Sequence, residues 1–232
     1  MPRSRPRPPA SPDARALRPA AVILDMDGTL LDTEALYRHA FRAALAAQGL
    51  SAKDRFYRRL IGIPSRERMP MLARRFGRRF DEARFLTDYY RARDAALEGG
   101  VPLKPGAAAL LDALDAAWID RAVVTSASRG TATDRLRRAG LLHRFDRVVS
   151  RDDVTHGKPR PDGFLYAARS LHVPPARCLA VEDSAHGVRA AAAAGMPVVM
   201  VPDLVAASPE LRAACRAVAA SLAEVRLLLE TS

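Results

Sequence analysis

Ala21-Val22-Ile23-Leu24 contains no polar residue and ends directly on Asp25-Met26-Asp27-Gly28. A short continuous apolar run bounded by turn residues is what a parallel strand covered on both faces requires. Similar runs recur at Ala122-Val123-Val124, Val148-Val149, Leu179-Ala180-Val181 and Val198-Val199-Met200-Val201. Between the later runs apolar residues fall at helical spacing. Leu136, Ala139 and Gly140 close one helix, and Phe164, Ala168 and Leu171 mark another. Strands alternating with helices predict an α/β fold, a doubly wound parallel sheet. Such sheets bind ligands beyond the carboxyl ends of their strands, and here polar residues follow nearly every run.

Residues 34–102 break the alternation. They hold no convincing strand and read as helices over Ala35–Gln48, Asp54–Leu60, Arg66–Phe76 and Asp81–Leu97, punctuated by Gly49, Gly62-Ile63-Pro64 and Gly99-Gly100. A helical block between the first two strands predicts an inserted cap, with the core made of residues 21–33 and 103–232. Residues 1–20 are Pro- and Arg-rich with little to bury, and they predict a disordered tail. Near the C-terminus, Ser208-Pro209-Glu210 followed by Leu211, Val218, Leu222 and Val225 predicts one structural helix.

The 232 residues are 49% hydrophobic and 27% charged, enough for one compact core plus a modest insertion. No run approaches a membrane span, and the first twenty residues lack a secretory apolar core, so a cytoplasmic protein is expected. Cys178 and Cys215 make no disulfide framework and have no histidine clustered with them, which predicts thiols buried in whole or part. The net charge of +11 would attract nucleic acid. However, the arginines are spread along the whole chain without interleaved aromatic residues, so nucleic acid is not the expected partner. The same field attracts small phosphorylated metabolites.

Asp25 and Asp27 emerge on the same side of a strand end, where two crowded carboxylates call for a cation or a shared proton. Val181-Glu182-Asp183-Ser184 repeats this acidic ending on another apolar run. With Asp25 it would make an all-oxygen site for a hard divalent ion, Mg2+ being expected. Gly157-Lys158-Pro159-Arg160-Pro161-Asp162 sets a lysine on a rigid loop, a fixed charge suited to a phosphoryl group. Val124-Thr125-Ser126-Ala127-Ser128 ends a strand in hydroxyls able to cradle phosphate oxygens.

In this order, DMDGTLLDTE, VVTSAS, GKPRPD and VEDSAHG, with GMPVV trailing, resemble the motifs of the haloacid dehalogenase superfamily over residues 20–226. The position of the insert resembles the branch of β-phosphoglucomutase and sugar-phosphate phosphatases. The resemblance implies a Rossmann-like core with a helical cap and an aspartyl-phosphate mechanism. Asp25 would be the nucleophile and Asp27 the acid and base. Thr125 would bind the phosphoryl group, with Ser126 as the alternative one register along. Lys158 would hold Asp25 and the phosphoryl oxygens. Glu182 and Asp183 would complete the Mg2+ site with Asp25 and the Asp27 carbonyl. Because dehalogenases of this fold lack the second aspartate, Asp27 implies phosphoryl chemistry. Lys53 sits in the wrong context for the Schiff-base lysine of the phosphonate-cleaving branch.

The loop Gly62–Glu67 resembles the cap specificity loop. Arg66 is there either a substrate contact for a second anionic group or a solvated residue behind a Ser65 cap. Tyr37 stands where the mutase has a histidine, and His39 faces another way. Hydrolysis of a sugar or polyol phosphate by a monomer is therefore expected ahead of a mutase. A non-catalytic or nucleic-acid-binding protein on this fold ranks behind both. His156 is expected to be solvated, His186 to pack at a helix start, and Trp118 and the cap aromatics to be core.

Overall fold

The computed structural model describes residues 19–61, 63, 65–204 and 206–230, without the Ser65 side chain. Most of the expected tail, along with Gly62, Pro64 and the Ser65 cap, lies outside the described residues. The apolar runs become strands β1 (Ala21–Leu24), β2 (Asp120–Val124), β3 (Arg147–Val149), β4 (Cys178–Glu182) and β5 (Val198–Met200). A two-residue β6 (Ala217–Val218) completes the sheet. All pairings are parallel, in the order β3-β2-β1-β4-β5-β6. Strand order reverses at β1, which places Asp25 at the topological switch where ligands bind in open α/β sheets.

Alternate residues of each strand serve opposite faces. Val22, Leu24, Val123 and Val181 pack beneath α5 (Ala107–Ala116), α6 (Arg129–Arg138) and α10 (Leu222–Glu230). Ile23, Val124, Ala180 and Val198 face α7 (Asp162–Ser170), α8 (Ala185–Ala193) and α9 (Pro209–Ala214). Both faces are covered, which explains why these strands read as unbroken apolar runs and not as alternating ones.

The insert between β1 and α5 holds the helices α1 (Thr33–Ala46), α2 (Asp54–Arg58), α3 (Ser65–Phe76) and α4 (Glu82–Glu98). They bury a core of their own built on Phe41, Leu45, Tyr57, Leu60, Leu72 and Phe85. The two strands of chain that join this unit to the sheet run side by side. Leu31 bridges Leu103 in antiparallel fashion, the Asp32 amide donates to the Pro102 carbonyl (2.8 Å), and the Lys104 amide donates to Leu30 (2.9 Å).

Several expectations are corrected. The single C-terminal helix is in fact α9, β6 and α10. Its apolar spacing was real, but Val218 joins the sheet edge beside Met200. The tail ends earlier than residue 20, because the Ala20 amide donates to the Arg177 carbonyl at 2.9 Å. Trp118 is 67% exposed and not core, at the turn between α5 and β2 where its φ is +56°. His186 lies in the first turn of α8 but is exposed. His156 is exposed as expected, with Nδ1 3.1 Å from Asp162. Cys178 is buried and Cys215 half-buried.

Candidate active site

Lys158 organises the carboxyl edge of the sheet. It stands in the loop between β3 and α7, and its ammonium donates to Asp25 after β1, to the Val124 carbonyl at the end of β2 (2.9 Å) and to Glu182 at the end of β4 (2.5 Å). Three donors on one buried nitrogen thus tie three strand ends together. Burial alone would lower the lysine's pKa, yet the Asp25 and Glu182 carboxylates prevail and hold it above its ordinary value. Lys158 is therefore a permanent cation.

Carboxylate oxygens of Asp25, Glu182 and Asp183 lie within 4.8 Å of one another. Burial raises the Asp25 carboxyl well above the usual carboxylate range against the pull of Lys158, and the charges of Glu182 and Asp183 push it further up. Burial, reinforced by Glu182, pushes Asp183 up to about 7. One lysine therefore does not neutralise three carboxylates. The surplus negative charge, held on hard oxygen donors, fits a divalent cation of the Mg2+ or Ca2+ type.

Glycine makes this crowding feasible at two positions. Gly28 has a φ of +89°, and a Cβ there would fall 2.5 Å from an Asp183 carboxylate oxygen. At Gly187, in the first turn of α8, a Cβ would lie 1.8 Å from the Glu182 carboxyl carbon. The helix therefore passes directly over that side chain. Ser184 caps α8 by accepting from the Gly187 amide (3.0 Å) while its hydroxyl donates to Glu182 (3.0 Å). The Thr29 hydroxyl likewise donates to Asp183 (3.2 Å).

The Asp27 side chain takes no part in this cluster. Its Oδ1 accepts from the Thr33 hydroxyl (2.9 Å) and its Oδ2 from Arg135 of α6 (2.5 Å). Thr125 is buried, its amide donating to Val149 (2.9 Å) and its hydroxyl oxygen accepting from the Ala127 amide (3.1 Å). Ser126 reaches the wall of a cavity of about 650 Å3 between the sheet edge and the helical unit. The core contributes Asp27, Ser126, Thr131 and Arg135 to that wall. Glu34 and Tyr37 of α1, Tyr57 of α2, Arg68 of α3 and Tyr89 and Arg93 of α4 face them.

Arg66 is not brought to the cavity. Its side chain is 85% exposed and paired with Glu67 (3.5 Å), while Arg68, two residues on, lines the wall. Residues two apart on a helix point to different sides, so Arg68 and not Arg66 faces the cavity. The cap aromatics expected as core divide in two. Phe85 is buried and also borders the cavity, whereas Tyr90 is 44% exposed at its rim. Arg68, Arg135, Thr33 and Glu34 were all missed in the sequence. Arg135 lies in Asp134-Arg135-Leu136-Arg137-Arg138, which reads as a solvated helical face, and only the fold distinguishes the one arginine turned inward. Thr33 and Glu34 lay within the quoted DMDGTLLDTE and could have been singled out there.

The matched set of a switch-point aspartate, an acidic cluster and a helical cap defines a class of hydrolase, and comparison with known proteins agrees. A family model described as haloacid dehalogenase-like hydrolase matches residues 19–195. A phosphorylated carbohydrates phosphatase of Thermotoga maritima is 34% identical over 176 residues, covering 76% of this chain and 82% of that protein. The fructose-1-phosphate phosphatase YqaB of Escherichia coli is 36% identical over 188 residues, covering 79% and 97%. Among solved structures, a HAD family hydrolase of Deinococcus radiodurans with bound phosphate and sodium superposes with a TM-score of 0.82 at 30% identity, covering 94% of this chain and 97% of that one. The chain belongs to the haloacid dehalogenase-like hydrolases. Among the described residues, no helix is long and apolar enough to cross a membrane.

Proposed function

We propose that the protein is a Mg2+-dependent phosphatase of small phosphorylated carbohydrates or polyols, working through an aspartyl-phosphate at Asp25. The observation that carries this reading is the Lys158 ammonium bonded to both Asp25 and Glu182, beside an Asp27 that faces the cavity. Asp25 supplies a carboxylate oxygen that attacks phosphorus. The bond from phosphorus to the ester oxygen breaks, and that oxygen leaves with the proton carried by Asp27. A water then attacks phosphorus and gives its proton back to Asp27. The bond to Asp25 breaks, releasing phosphate and restoring the carboxylate. Thr125 fixes the strand end, and Ser126 and nearby amides present donors to the phosphoryl oxygens. Asp25, Glu182, Asp183 and the Asp27 carbonyl would hold the ion, which would supply positive charge to the phosphoryl oxygens.

The T. maritima and E. coli relatives are named for phosphorylated carbohydrates and fructose 1-phosphate. A wall of tyrosine hydroxyls, Glu34 and Arg68 suits a polyhydroxylated substrate of that kind. Hydrolysis is favoured over a mutase because no histidine lines the cavity among the described residues, and Tyr37 occupies the mutase histidine's place with its phenol held above its ordinary pKa by burial and by Asp27. The test is phosphate release from a panel of sugar, polyol and short-acid phosphates, with Mg2+, with EDTA, and with Asp25→Asn. We expect metal-dependent release that falls at least ~10³-fold in the variant. Release that ignores EDTA and Asp25→Asn would contradict the reading.

A further inference from the structure

Arg135 has no place in the scheme above, yet it touches its proton carrier. It projects from α6, a core helix, with a side chain only 12% exposed. Its terminal nitrogen donates to Asp27 Oδ2 at 2.5 Å, opposite the Thr33 hydroxyl on Oδ1, and its guanidinium lies 5.1 Å from the Tyr37 ring centroid. Its Nε is buried without a hydrogen-bond partner among the described residues. The guanidinium is thus fixed by one carboxylate and one aromatic face. A carboxyl group held by a single hydrogen bond can still rotate about its last bond. Two donors from two different helices define its plane.

We infer that Arg135 is the positioning residue of the proton-transfer step, presenting Asp27 Oδ2 to the ester oxygen as it leaves. The inference rests on the phosphatase reading and adds to it a group that acts through Asp27. Asp27 and Arg135 both line the cavity, and Oδ2 is the oxygen that joins them. Thr33, at the first position of α1, fixes the other oxygen and ties it to the cap helix. Loss of Arg135 leaves the nucleophile and the acidic cluster untouched, because neither Asp25 nor Glu182 bonds to it. It frees only the carboxyl group that protonates the leaving oxygen.

Leaving-group dependence separates this role from a structural or phosphate-binding one. An alkyl phosphate, such as a sugar phosphate, expels a strongly basic alkoxide and needs the proton, whereas p-nitrophenyl phosphate expels a stable phenolate and hardly does. The quantity to compare is kcat/KM, which covers steps up to departure of the leaving group. For Arg135→Gln we expect a loss of ~10²-fold on the sugar phosphate and less than about threefold on the aryl ester. Arg135→Lys, keeping one donor, should recover part of the first loss. On the sugar phosphate, Arg135→Gln added to Asp27→Asn should cost nothing further. Equal losses on both esters, no loss on either, or losses that multiply with Asp27→Asn would overturn the inference. Wild-type protein inert towards both esters would instead sink the phosphatase reading, and this inference with it.

Discussion

Glu182 is fully buried and holds its place through three contacts, from Lys158, from the Ser184 hydroxyl and from α8 passing over it at Gly187. The last of these can be tested most cleanly. In Gly187→Ala the new methyl would coincide with the Glu182 carboxyl group, the free end of a side chain. Glu182 must therefore turn away, and Lys158 loses one anchor. We expect turnover to fall ~10²-fold while the circular dichroism spectrum is kept, since displacement of a supporting group by about 1 Å costs that much. Unchanged turnover would mean that Glu182 does not order the site. Gly187 closes the quoted VEDSAHG, but its reason is a close approach in space, which sequence alone does not display.

At the scale of elements, α3 decides which arginine faces the cavity. It carries Arg66 outward to Glu67 and Arg68 inward to the cavity. Arg66→Ala should leave KM within about twofold, as a solvated surface pair contributes little. Arg68→Ala should raise KM roughly tenfold on a sugar phosphate, the equivalent of one charge-assisted hydrogen bond. Measuring both variants on one substrate checks the assignment, and the reverse order would show that the outward face at the start of α3 contacts substrate instead. Five of the six strands were legible because a buried parallel strand leaves an unbroken apolar signature, as at Val198–Met200. The sixth was not. Ala217–Val218 is too short for a pattern and falls in register with the helical spacing around it. Asp25, Lys158, Glu182 and Asp183 were legible as polar residues following apolar runs or on a loop before a helix. Arg135 and Arg68 were not, because one arginine among several on a helix carries no mark of which way it faces.

Over the whole molecule, the order β3-β2-β1-β4-β5-β6 gathers four distant segments of sequence at one edge, and Lys158 joins three of those strand ends. The helical unit then closes a cavity over that edge, and under the proposed function substrate is held by α1–α4 while the chemistry stays on the sheet. The net charge of +11 fits this division, since a positive field draws anionic esters towards an edge that is itself acidic until a cation fills it. The proposed function thereby assigns reaction type and specificity to different parts of the fold, with Asp25 on one and Arg68 on the other.

The proposed chemistry requires Asp25 to become phosphorylated during turnover. Borohydride reduces an aspartyl-phosphate to homoserine, which marks the site permanently. The protein would be quenched during turnover of a sugar phosphate, reduced, digested and sequenced by mass spectrometry. We expect homoserine at position 25 alone, only when both substrate and divalent metal are present, and none at Asp27, Glu182 or Asp183. Homoserine at another aspartate, or sustained phosphate release with none at position 25, would contradict it.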